Sequence, residues 1–146
     1  MTSIAVLLAA LAGLAGAAQI AVMGRFGARI GVVEALCFAT AVQLTLAVTI
    51  LIVSRGGFGN LGAAFRVPPW LWLGGAFGLG IVFTITFAQP KLGATATLGL
   101  IIAGQLIMGA VIDRFGLFGV DQIGISTPRA IGIGLLGIGA ALSLVR

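Results

Sequence analysis

The sequence has no histidine and no tyrosine, one cysteine, one lysine and three acidic residues in 146 positions. Without histidine, and with so few acids and thiols, most acid–base, metal-binding and nucleophilic constellations cannot be assembled. No catalytic residue, metal ligand or cofactor is therefore expected. Cys37 stands alone, so no intrachain disulfide can form. Charged residues make up 8% of the chain, against about 25% in an average soluble domain. That is too little polar sequence to cover a globular surface, which argues against a soluble enzyme. The net charge of +5 sits on arginines scattered between apolar runs. They form no basic cluster to follow a phosphate backbone, so nucleic acid is not an expected partner.

What the chain has in abundance is apolar sequence: 60% hydrophobic residues and a further 24 glycines. Uncharged runs cover 2–24, 35–53, 70–88, 94–112 and 130–145. A spanning helix needs about 20 apolar residues, with a range of about 17–25. The pattern predicts an all-α membrane protein, a bundle of five transmembrane helices in one domain, residues 1–146. Period-2 alternation is absent, which argues against a transmembrane barrel. Pro68, Pro69, Pro90 and Pro128 lie outside the runs, and Trp70 and Trp72 open the third, where an aromatic belt would sit. Gln89-Pro90-Lys91-Leu92-Gly93 reads as a short turn, so the third and fourth helices should form an antiparallel hairpin. The fifth run is the shortest, and Arg129 and Arg146 at its ends would snorkel to cover the deficit.

The first run carries Ala15-Gly16-Ala17, a signal-peptidase-like triplet. No Lys or Arg precedes the run and it continues to Gly24, so a spanning helix is the expected reading. Phe58, Leu61 and Phe65 have helical spacing within the loop 54–69, which suits either a short interfacial helix or plain loop. The segment 113–129 is too polar to span and too apolar to lie free in water, and is expected at the interface.

Helices in lipid associate where small residues let backbones approach. Ala5, Ala9, Gly13, Ala17 and Ala21 form such a stripe in the first run, with shorter versions in the others. Gln19, Gln43 and Gln105 carry amides into the runs, where an amide needs a partner or a cavity; they are either interhelical glue or the lining of a polar path. The threonines can bond their own helix carbonyls and need no further role. Trp72 is a weaker pathway candidate, since a belt position accounts for it. No charge falls inside a run. Glu34, at the start of the second, suits the helix dipole, and in a carrier it would titrate at a cavity mouth; Asp113 closes the fourth. These two acids are the candidates for proton or ion linkage.

Several strings resemble a known family. Pro90-Lys91-Leu92-Gly93-Ala94-Thr95, Ile102-Ala103-Gly104-Gln105-Leu106 and Ile112-Asp113-Arg114-Phe115-Gly116-Leu117 are similar to the second half of the YdcZ-like proteins, small bacterial inner-membrane proteins of the drug/metabolite transporter superfamily. Pro69-Trp70-Leu71-Trp72-Leu73-Gly74-Gly75 with Gly78, Gly16-Ala17-Ala18-Gln19, and Arg129 with Gly132 extend the resemblance over nearly the whole chain. Met23 stands where the family commonly has Asn, and Ala41 where it has Gly. The resemblance implies a multi-pass inner-membrane protein, half of a ten-helix inverted-repeat transporter.

The reading is thus a small-molecule transporter subunit, working by alternating access with a second five-helix subunit, either an inverted copy of itself or a sibling chain. A passive dual-topology channel and a non-transporting membrane scaffold are the alternatives. With five spans, Arg55, Arg66, Arg114 and Arg129 fall on one side and Arg25, Arg29, Lys91 and Arg146 on the other, four against four. Orientation follows Lys/Arg bias, so the balance predicts dual topology and an antiparallel homodimer.

Overall fold

The computed structural model describes residues 2–145, and every regular element among them is helical. Five α-helices follow in order: α1 (Thr2–Ile30), α2 (Val32–Arg55), α3 (Leu73–Leu92), α4 (Ala94–Phe115) and α5 (Thr127–Leu142). Short 3-10 turns cover Leu61–Arg66, Pro69–Trp72 and Leu117–Gly119. Four stretches are long and apolar enough to cross a membrane: Ser3–Ile30, Val32–Arg55, Pro69–Leu92 and Ala94–Phe115. The fifth helix has 16 residues. At 1.5 Å per residue that is about 24 Å, short of a hydrocarbon core of about 30 Å.

The helix ends differ from those the apolar runs suggest. α1 does not stop at Gly24 but continues through Arg25 and Arg29 to Ile30, so the expected loop 25–34 shrinks to Gly31. Arginine is a good helix former whose aliphatic stem tolerates an apolar border, so a charge ends the hydrocarbon span without ending the helix. The expected turn 89–93 likewise shrinks to Gly93, with Pro90 inside the last turn of α3. Gly31 and Gly93 adopt φ of 105° and 85°, which side chains disfavour, and each accepts the first backbone bond of the following helix, from Ala35 and Thr97. α5 starts earlier than the fifth run, at Thr127 with Pro128 in its first turn, and ends at Leu142.

The chain divides into two compact units. The first comprises α1 up to Ala21 and everything from Lys91 onward. Within it α4 and α5 pack antiparallel: Gly99 lies against Ala140 and Ser143, and Asp113, at the other end, meets Arg129. A Cβ at Gly99 would stand 3.4 Å from the Ala140 Cα, so the two backbones meet at a small-residue crossing. Ala96, Thr97, Ala110 and Ala140 are buried here.

The second unit is Val22–Pro90. The end of α1 packs antiparallel on the end of α3, with Gly24 under the Gln89 side chain and Gly27 under Thr86. Pro90 cannot donate to the Thr86 carbonyl one turn back, and that carbonyl faces Gly27. Phe26 and Phe38 meet edge to face at 5.7 Å. Thr86 is fully buried and donates to Val82 O at 2.7 Å, as Thr97 does to Gly93 O at 2.8 Å. Both hydroxyls are thus satisfied within their own helices, as expected for threonine in lipid.

Large apolar side chains are exposed along all five helices, the pattern of a chain whose solvent is lipid. The Ala5-Ala9-Gly13-Ala17-Ala21 stripe is not the packing face of α1. Ala5, Ala9, Gly13 and Ala21 are exposed, whereas Ile20, Met23, Gly24 and Gly27 are buried. Gly24→Val should therefore lower thermal stability by about 1–3 kcal/mol through overpacking. A Cβ there would fall 2.7 Å from the Cβ of Gln89, which cannot swing aside. Gly13→Val, with nothing within 4 Å, should stay within about 0.5 kcal/mol. Thermal melting in nanodiscs compares the two.

Candidate functional site

In the second unit, α2 and α3 flank an open cavity of about 260 Å³ lined by Thr40, Gln43, Gly75, Gly78, Leu79 and Val82, most of them exposed. Thr40 and Gln43 lie three residues apart, and the α3 positions follow i, i+3, i+4, i+7 spacing, so each helix presents one face to the gap. Gly75 and Gly78 supply the room, because neither has a side chain to place opposite the polar pair. The Thr40 hydroxyl donates to Leu36 O at 2.8 Å and keeps acceptor capacity. The Gln43 amide makes no hydrogen bond among the described residues, leaving two donors and an acceptor for whatever enters. The lining carries no charge.

The other predicted residues lie elsewhere. Gln19 is half-buried on α1 and Gln105 is exposed on α4, both in the first unit; neither lines the Gln43 cavity, and neither amide has a hydrogen bond among the described residues. Trp72 does not line that cavity either. Its indole N–H donates to Ala64 O at 3.0 Å and its ring meets Phe65 edge to face at 6.0 Å, fixing the 61–66 turn to the start of α3. Glu34 folds its carboxylate back over Gly31 in the first turn of α2, where negative charge suits the dipole. Asp113 forms an ion pair with Arg129, and its carbonyl accepts from Ile123 N at 2.8 Å. The Gln122 amide donates to Phe115 O at 3.3 Å, so the segment between α4 and α5 is tied at three points. Gln89 is the polar residue that the apolar-run reading missed, since it placed Gln89 in a turn; the signal available was the pair of small residues Gly24 and Gly27.

A chain of long helices with apolar side chains exposed along them, and an open uncharged polar cavity between two of them, has the form of a multi-pass membrane protein of transporter type. Residues 4–142 match the family described as "Putative inner membrane exporter, YdcZ", and the chain belongs to that family. It is 33% identical over 110 residues to the inner membrane protein YdcZ of Escherichia coli strain K12, covering 74% of this chain and 72% of that one. No solved structure matches the chain. The protein is accordingly a multi-pass protein of the inner membrane, in a family whose description is that of a membrane exporter and not of a known enzyme.

Proposed function

We propose that the chain is one half of a small-molecule exporter, with five spanning helices completed by a second five-helix subunit and alternating access between the two. The observation that carries this reading is the Gln43 cavity, where an amide and a hydroxyl face two glycines between helices otherwise clad in apolar side chains. An amide at membrane depth needs a partner or an aqueous space. Gln19, Gln43 and Gln105 all lack a partner among the described residues, and a solute path shared with a second subunit supplies one. The α5 helix, flanked by Arg129, serves as the short fifth span, with snorkelling to cover its length. The second subunit is an inverted copy of this chain.

Proteoliposomes loaded with a panel of labelled metabolites provide the test. Saturable efflux that exchanges solute across the bilayer is expected, and Gln43→Leu should reduce it at least tenfold at unchanged insertion. Gln105→Leu should reduce it as well. Flux that never saturates would identify a channel, and equal efflux from wild type and Gln43→Leu would remove the cavity from the pathway. If Glu34 and Asp113 carry the coupling proton, neutralising both abolishes pH-gradient-driven transport. Arg129→Gln, which keeps both carboxylates, should preserve it.

A further inference from the structure

A second cavity, of about 480 Å³, lies where α2 ends, lined by Leu51, Arg55, Gly59, Asn60, Leu61 and Ala64. Its volume falls in the small-molecule range of about 300–1,000 Å³. Its lining is graded by depth. Leu51 and Arg55 are one helical turn apart on α2, about 6 Å along the axis, so the apolar end faces the hydrocarbon and the guanidinium faces the membrane rim. Asn60 and the 61–66 turn form the opposite wall, and the cavity is open to its surroundings. Gly59, at a φ of 52°, turns the loop against this wall: a Cβ there would stand 3.7 Å from the Arg55 stem and from Leu51 Cδ1, in ordinary contact. Arg55 has no ion-pair partner among the described residues, and the loop 54–69 contains no acid. The two tryptophans that follow mark the headgroup level.

We infer that this cavity is a binding site for an anionic phospholipid, with the headgroup phosphate on the Arg55 guanidinium, the headgroup hydroxyls at Asn60 and an acyl chain along Leu51 and Leu61. An unpaired arginine at the rim attracts a phosphate diester, and the apolar inner wall accepts a chain that a free phosphate lacks. The site is independent of the transport reading, because it needs only that α2 end at the membrane surface.

The protein carries its own reporter. Both tryptophans lie in the Pro69–Trp72 turn, and Trp72 is hydrogen-bonded to Ala64, which lines the cavity. In vesicles, brominated phosphatidylglycerol should quench tryptophan fluorescence at lower mole fraction than brominated phosphatidylcholine. Arg55→Gln should weaken that preference about fivefold. Ala64→Leu puts a branched side chain on the wall that faces Arg55, keeps every charge and the Ala64 carbonyl, and should weaken the preference at least threefold. Arg66→Gln removes a nearby arginine outside the lining and should change it less than twofold. Retained preference in Ala64→Leu, or an equal loss in Arg66→Gln, would mean general attraction to a charged surface and would overturn the site. Displacement of the brominated lipid by inorganic phosphate at equal concentration would assign the cavity to free phosphate and overturn the lipid.

Discussion

Asp113→Leu is expected to destabilise the protein by about 2 kcal/mol. The Arg129 and Asp113 side chains are 38% and 26% exposed, between exposed pairs worth about 0–1 kcal/mol and buried pairs whose rupture costs about 3–5 kcal/mol. Each charge also stands at the unfavourable end of its own helix. Asp113 lies in the last turn of α4, where the dipole is negative, and Arg129 in the first turn of α5, where it is positive. By contrast, Glu34 opens α2, while Arg29, Arg55, Lys91 and Arg114 close their helices, all at favourable ends. The pair cancels two dipole penalties at once, so losing one partner exposes the other to its dipole unscreened. The double variant Asp113→Leu/Arg129→Gln, compared with each of its single variants, should recover about half of the loss. Thermal melting in nanodiscs decides the point: strictly additive single and double variants would show that the two side chains do not act as a unit.

The helices were legible because membrane solvent makes composition decisive. Runs without charge and without interior proline have few alternatives to helix when every backbone group must be bonded internally. Their ends were less legible, because Arg25, Arg29 and Lys91 mark where hydrocarbon stops, not where hydrogen bonding stops. That role falls to Gly31 and Gly93 through their backbone angles. Gln43 stood out as an amide in an apolar run, whereas Gly75 and Gly78 opposite it depend on which helix packs on which, information no single run contains. The same holds for Asp113 and Arg129, whose separation of 16 residues bridges an irregular segment, and for Trp72, where a belt aromatic also fastens a turn. The alanine stripe of α1 stays uncovered within the chain, because four-residue spacing of small residues permits close packing without supplying a neighbour.

The charge balance bears on how the chain inserts. The end of α2 and the 61–66 turn carry Arg55 and Arg66, and the segment closing α4 and opening α5 carries Arg114 and Arg129. The other helix ends carry Arg25, Arg29 and Lys91, and Arg146 lies outside the described residues. If α5 is the fifth span proposed above, four positive residues fall on each side, and the Lys/Arg bias that orients short-loop membrane proteins is nil. Chains should therefore insert in both orientations, and two inverted copies would supply the repeat architecture on which alternating access relies. Single cysteines at Gly62 and at Leu92, in a Cys37→Ala background, report on opposite ends. Gly62 lies in the exposed 61–66 turn with nothing within 4 Å, and Leu92 is exposed in the last turn of α3, so neither requires the positive φ that makes Gly93 unsuitable. In intact cells an impermeant maleimide should label a substantial fraction of each. Two lysines added to the loop 54–69 should shift the population toward chains with that loop in the cytoplasm, raising Leu92 labelling and suppressing Gly62 labelling. Labelling at one site only, with both reactive after lysis, would fix a single orientation. The inverted partner would then have to be a different chain of opposite charge bias.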